Sequence, residues 1–418
     1  MKNAYKIQHL VIAIIISFSS ILFGQETDST DVLKDAPKLF LDTHRIDMDY
    51  VRRKVTFVNY VNDRKQADIY VLVTTKKTGS KGREYTLTFL GKNQFEGRND
   101  TLVFNSLSTD TNDKIREGFV KTLKIGLLPY MIDTPLVDMF DVKFNYNVDN
   151  NTVTDKWDYW IFRTRLRGHM RGEETRNSYY LSGEIDADRI TEEWKIRLGA
   201  DLDYDEENYS YPGQNNYFSY SRSLAAHARV VKSLTDHWSL GGNTYYYSST
   251  YRNIKQNFQV GPAIEYNIFP YSESTYREMR LSYSITYNYN KYYEKTIYDK
   301  MEDHLTRQYV ELNTEFTQPW GDIEVSAVFS NFLNDATKNR LHIYSDLSIN
   351  LFEGFQFSFG VGYSMIHDQI NLPARDLNLD EILLRRSELA TQYSYWMSAG
   401  ISYTFGSIYN NIVNPRFD

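Results

Sequence analysis

The chain has no cysteine among its 418 residues. That excludes disulfides, thiolate metal sites and lipid attachment through an N-terminal cysteine. Beyond residue 24, no stretch approaches the run of about eighteen apolar residues that a spanning helix needs. Metal-ligand spacing of the His-Glu-x-x-His kind is missing, and so is a phosphate-binding glycine loop. The sequence therefore implies no cofactor and no metal. Basic residues are not in excess either, since the formal charge is −7, a balance that disfavours nucleic acid as a partner.

What is present is alternation. Met279-Arg280-Leu281-Ser282-Tyr283-Ser284-Ile285-Thr286-Tyr287-Asn288-Tyr289-Asn290 puts Met, Leu, Tyr and Ile on one face and Arg, Ser, Thr and Asn on the other. A period of two marks a strand with one apolar and one wet face. A dozen residues is long for a globular strand and suits a tilted strand across a bilayer. Twelve such segments are read at 157–171, 177–190, 193–205, 217–232, 237–250, 255–268, 277–292, 304–318, 322–333, 339–351, 354–367 and 391–405. Connections after the second, fourth, eighth and tenth are short, and the one after the sixth is somewhat longer. The stretches 206–216, 293–303 and 368–390 are long. Short turns alternating with long loops are the signature of a transmembrane β-barrel. The mean hydropathy of −0.54 does not oppose this, because barrel strands are apolar only at every second residue. The 35 tyrosines, 23 phenylalanines and 6 tryptophans suit a membrane interface.

Residues 1–24 begin with Lys2 and Lys6 and continue in an apolar run over 10–23, ahead of Gly24-Gln25. They read as a secretory signal peptide rather than an uncleaved anchor. Its removal takes away two lysines and no acid, moving the formal charge from −7 to −9. Residues 25–37 are polar and read as a disordered linker. Residues 38–131 read as a small α/β domain in the order β-α-β-β-β-α. The first strand is Leu39-Phe40-Leu41. A helix follows over 47–62, with Asp47 as its N-cap and Met48, Val51, Val55 and Val58 at helical spacing. Strands come next at 67–74, 84–90 and 100–104, the first two joined by a hairpin loop at Gly79-Ser80-Lys81-Gly82. The last element is a helix over 111–131. Residues 132–155 form a linker with a strand at 139–147, 156–406 the barrel, and 407–418 a periplasmic tail. An even strand count places both termini in the periplasm.

The candidate site is a ladder of charges expected on the lumen face. Strand one offers Arg163, Arg165, Arg167, His169 and Arg171, strand two Glu184, Asp186 and Asp188, and strand three Lys195 and Arg197, with Asp201 and Asp203 beyond them. Glu265, Glu311, Glu315, Glu324 and Asp346 also point inward. The ladder reads either as a selectivity constriction or as a cross-strand salt-bridge network that fills the lumen. In the N-terminal domain Asp49, Arg52 and Arg53, with Asp63 and Arg64 one helix length later, read as a partner-docking face or as a capped helix with solvated charges. A lipid hydrolase would need a Ser/His constellation. His367-Asp368 offers a His/Asp pair without a nucleophile, and the His-x-Ser-Asn-Gly pattern of outer-membrane phospholipases is missing. Loop 368–390, with a short helix read over 376–386, is expected either to plug the lumen or to face outward.

Asp49-Tyr50-Val51-Arg52-Arg53 with residues 58–69 and 84–87, and Gly261-Pro262-Ala263-Ile264-Glu265-Tyr266 with residues 267–273 and 402–417, resemble a family that pairs a periplasmic domain with an outer-membrane barrel. The resemblance covers most of the mature chain and implies that architecture, with no assigned activity. By element order alone the first domain is also similar to the N-terminal domain of TolB.

The sequence thus predicts a mainly β protein, a twelve-stranded antiparallel transmembrane barrel behind a small periplasmic α/β domain, in contact with outer-membrane lipid. The expected function is non-enzymatic: a narrow channel for small polar solutes, or a structural barrel regulated by the domain. The alternative is an envelope-assembly scaffold whose domain binds a periplasmic protein.

Overall fold

The structure is a computed structural model that describes residues 36–43, 46–79, 81–132, 134, 136–137, 155–210, 216–352, 354–375, 387–406, 411 and 416. The signal peptide, the strand read at 139–147, the loop helix read over 376–386 and most of the C-terminal tail lie outside the described residues.

The N-terminal domain is a five-stranded sheet under two helices. In chain order it comprises β1 (Lys38–Asp42), α1 (Met48–Lys54), β2 (Asn59–Tyr60), β3 (Ile69–Lys77), β4 (Arg83–Gly91), a 3-10 turn (Asn93–Phe95), β5 (Asn99–Ser106) and α2 (Asn112–Met131). The sheet order is β2-β1-β3-β4-β5. β1 pairs parallel with β2 and β3, and β3-β4-β5 is an antiparallel meander. The core is drawn from both helices and one face of the sheet: Val51 from α1, Phe119, Leu123 and Leu127 from α2, and Leu87 and Phe89 from β4. At Gly126 the second helix presses directly on the Phe89 ring, where a Cβ would collide.

The helix expected over 47–62 stops at Lys54. Val55 and Val58 leave it but stay buried in the same core, so their spacing imitates a helical face. The chain then forms β2, a strand the sequence reading lacked. The likeness to TolB rested on element order and gains no support from this one.

At the start of α1, Asp47 Oδ1 accepts a hydrogen bond from Tyr50 N at 2.9 Å. That bond holds the Asp47 carboxyl below the usual carboxylate range, against the small opposing effect of burial and with help from Arg116. Replacing Asp47 by alanine should cost the domain about 1 kcal/mol, measured as a drop in its urea midpoint. The folded-state pKa is the lower one, so the stabilisation is present above the unfolded value of about 4 and is lost as pH falls through the folded value. At low pH the variant and the parent should converge.

The second unit is a single twelve-stranded antiparallel sheet, built from β6 (Trp160–Gly172), β7 (Arg176–Ile190), β8 (Trp194–Tyr209), β9 (Tyr217–Ser233), β10 (Trp238–Ser249), β11 (Ile254–Asn267), β12 (Arg277–Tyr292), β13 (Glu302–Gln318), β14 (Gly321–Phe332), β15 (Asp335–Phe352), β16 (Phe355–Ile366) and β17 (Tyr393–Tyr403). Every strand pairs with its neighbours in sequence. One face exposes large apolar side chains such as Phe162, Leu166, Ile185, Leu240, Leu281 and Ile401. Directly opposed residues share a face, and the other face collects the polar and charged partners. Among the described residues no helix is long and apolar enough to cross a membrane.

The expected twelve-stranded antiparallel sheet is present, without the pairing that would close it into a barrel. β6 and β17 are the two ends of the sheet order, and they do not pair with each other among the described residues. Alternation along a strand specifies its two faces, whereas nothing in it names the partner that closes a ring. Loop lengths also depart from strict alternation. The connections 173–175, 250–253 and 333–334 are tight although they share an end with the long loops.

Candidate lumen gate

The charge ladder is built by register. β6 and β7 set Arg163 opposite Asp186 and Arg165 opposite Glu184. Arg163 Nη2 bonds Glu184 at 2.8 Å and Asp186 at 3.0 Å, and Arg165 Nη1 bonds Glu184 at 2.9 Å. Asp188 stands opposite Arg197 at 3.9 Å. Arg167 and His169 face Ser182 and Tyr180, while Arg171 turns to Glu173 at the strand end. Lys195 lies opposite Val231 and lines a cavity of about 320 Å3 on the polar face of the sheet with Arg229, Glu265 and Arg280. Most of the expected ladder is therefore a cross-strand ion-pair network. Its half-exposed pairs are each worth about 0–1 kcal/mol.

Two lysines that the sequence reading did not single out complete the site. Both sit on the β3–β4 hairpin of the N-terminal domain. Lys81 Nζ reaches Asp186 at 2.7 Å and Asp188 at 3.1 Å, so the domain joins the ladder through the carboxylate that already holds Arg163. Lys76 Nζ reaches Glu278 at 3.0 Å and the Ser274 carbonyl at 2.7 Å. Glu278 belongs to a row in which Glu278, Glu315, Glu324 and Asp346 stand directly opposite one another across β12 to β15. Like charges in direct register destabilise a sheet, and Lys76 and Arg280 sit on the end of this row.

Further pins join the domain to the same short-turn end. Asp63 Oδ2 accepts from Gly354 N at 2.7 Å. Arg64 donates to the carbonyls of Pro319 and, at 3.2 Å, Asn350. Tyr60 N donates to Asn411 Oδ1 at 2.6 Å. The expected docking set therefore divides. Asp63 and Arg64 dock on this chain's own sheet, while Asp49, Arg52 and Arg53 stay on α1, where Asp49 pairs with Arg52 at 3.1 Å.

At the opposite end lies the described part of the loop after β16. Asp368, with a side chain only 3% exposed, bridges Arg307 and Arg340. Its neighbours pair with the loop after β12, through Ile297 N to Leu372 O at 2.9 Å and Ala374 N to Lys295 O at 2.8 Å. The described part of this loop thus folds inward. His367 and Asp368 do not form a dyad, because the carboxylate is taken by two arginines and His367 Nδ1 lies 3.2 Å from Asn339 Oδ1. Among the described residues no group of histidines and carboxylates has the geometry of a metal site.

No family model and no curated protein matches the chain. Solved structures similar to part of it include the NanC porin, with a TM-score of 0.29 and 8% identity over 57% of this chain and 98% of that one. The translocator domain of the autotransporter NalP from Neisseria meningitidis gives 0.27 and 13%, over 58% and 87%. CdiB from Acinetobacter baumannii gives 0.26 and 7%, over 80% and 71%. These are outer-membrane barrel proteins.

Proposed function

We propose that this chain is an integral outer-membrane protein whose twelve strands close along β6 and β17, and that its N-terminal domain stoppers the periplasmic mouth of a narrow channel for small polar solutes. The reading is non-enzymatic. The observation that carries it is the β3–β4 hairpin. It places Lys81 on β7 and Lys76 on β12, five strands apart on the wall, from a domain with its own core. Closure is supported by bilayer physics, because each backbone polar group left unpaired in hydrocarbon costs several kcal/mol. The apolar outer face and the charged inner face then fit lipid and water respectively.

The test is current through a planar bilayer, recorded for the full chain and for a chain lacking residues 36–131. The full chain should be closed and the shortened one should conduct steadily. A silent shortened barrel that has demonstrably inserted would overturn the channel reading. It would favour the scaffold alternative, in which α1, with Asp49, Arg52 and Arg53 clear of the sheet, holds a periplasmic partner.

A further inference from the structure

At the long-loop end the lumen holds a cavity of about 280 Å3 between β10–β15 and the inward loop. This is close to the lower limit, about 300 Å3, of small-molecule sites. Its lining combines two features. The first is an aromatic wall. Tyr245 and Tyr247 lie two residues apart on the inner face of β10, with ring centroids 6.1 Å apart and planes inclined by only 16°. The second is an amide ladder. Gln259 donates to Asn257 at 2.8 Å and Asn257 donates to Asn290 at 2.5 Å, while Asn288 beside them donates to the Thr286 carbonyl at 3.0 Å. Asn257, Asn288 and Asn290 are all buried.

The ladder does not exhaust its own capacity. Among the described residues Gln259 Oε1, Asn288 Oδ1, Asn290 Nδ2 and the hydroxyls of Tyr245 and Tyr247 take no hydrogen bond. None of these atoms is among the buried unpaired ones, so they are open to the cavity that their residues line. Two of the three arginines around it are, by contrast, already held in ion pairs. Arg307 and Arg340 share Asp368, and Arg252 lies over the Tyr247 ring at 5.7 Å. The two Glu388 oxygens accept from Gln369 and Asn371 at 2.8 Å each. What remains for a ligand is the tyrosine pair, with Arg252 beside the Tyr247 ring, and uncharged donors and acceptors.

We infer that this cavity is a binding site for a neutral sugar ring. The C–H face of a pyranose would lie on Tyr245 and Tyr247, and its hydroxyls, each both donor and acceptor, would bond Gln259, Asn288 and Asn290. A carboxylate-bearing sugar on the amide wall would find Arg307 and Arg340 already committed to Asp368. Equilibrium binding here does not require that the barrel conducts, so the site stands apart from the channel reading.

The experiment is titration calorimetry on the purified full chain in detergent with glucose, galactose, N-acetylglucosamine and glucuronate. At least one neutral sugar should bind saturably, and glucuronate should bind at least tenfold more weakly. Tyr247→Ala should weaken binding about tenfold by removing one aromatic face, whereas Tyr247→Phe should keep most of it. Asn290→Ala should weaken it comparably. Far-ultraviolet circular dichroism confirms that each variant is folded. No saturable heat from any neutral sugar, preferred binding of glucuronate, or affinity indifferent to Tyr247→Ala and Asn290→Ala in folded protein would each overturn the assignment. Binding in the full chain, together with a barrel that stays silent once residues 36–131 are removed, would sink the channel and leave this site intact.

Discussion

The Lys76→Glu, Lys81→Glu double variant will conduct in planar bilayers under conditions where the parent chain is closed. A carboxylate at position 81 would face Asp186 and Asp188, where Lys81 now bonds both at 2.7 and 3.1 Å. A carboxylate at position 76 would extend the acidic row that begins at Glu278, where Lys76 now sits at 3.0 Å. A unit pair at such range is worth about 4 kcal/mol at the effective dielectric of a protein surface, and reversal turns attraction into repulsion. Even discounted severalfold for exposure and for the remaining pins at Asp63 and Arg64, the seat should lose about 3–5 kcal/mol. That is enough to shift a closed-to-open population by a factor of hundreds to thousands. Screening gives a second reading of the same force. The Debye length shortens from about 8 Å at physiological salt to about 3 Å at 1 M, so the parent should open measurably as salt rises. A double variant as silent as the parent, and a parent indifferent to salt, would remove the lysines from any gating role.

The second large effect concerns the seam. Pairing Thr164→Cys on β6 with Met397→Cys, Ala399→Cys or Ile401→Cys on β17, one pair per protein, should give near-complete disulfide formation in one register after mild oxidation in the membrane. β6 and β17 run antiparallel and offer 13 and 11 residues. Thr164 shares the outer face of β6 with Phe162 and Leu166, and Ala399 that of β17 with Met397 and Ile401. Directly opposed residues in an antiparallel pair bring Cα atoms to about 4.5–5.5 Å, inside the range of about 4.4–6.8 Å that a disulfide accepts. The native chain has no cysteine, so no competing bridge exists. Arg165→Cys with Ala399→Cys puts the thiols on opposite faces and should stay reduced. If all three outer-face pairs stay reduced, the strands do not close on each other and the barrel reading fails.

The long sheet was the legible part of this chain, because each strand carries its own evidence. The alternation of residues 277–292 marks β12 without reference to any other segment, and the structure has that strand at Arg277–Tyr292. The pairing of Arg163 and Arg165 with Asp186 and Glu184 was equally readable, since a tight turn joins the two strands and parity fixes the face. Facts that join distant segments were not readable. Lys76 and Lys81 look like solvated charges at a hairpin tip until the domain is seated on β7 and β12. The carboxylate row from Glu278 to Asp346 exists only once four registers are known. Asp368 beside His367 suggests a dyad in sequence, and only folding reveals the two arginines that claim it. Helix α1 was misjudged in length for a local reason, because Val55 and Val58 keep helical spacing after the helix has ended.

The seat of the domain also dictates an order of assembly. Its core is drawn only from residues within 36–136, so it closes without any part of the sheet. The pins at Asp186, Glu278, Pro319 and Gly354 belong to strands and turns that become neighbours only when the sheet has formed. The globule must therefore fold first and dock last. Under the proposed membrane reading, a filled globule would not follow the hairpins through lipid, so it would remain on the side from which the chain arrives and keep the short turns with it. The ends that cross would then be those of the long loops, and the choice between two orientations in the membrane would be made before a single strand had inserted.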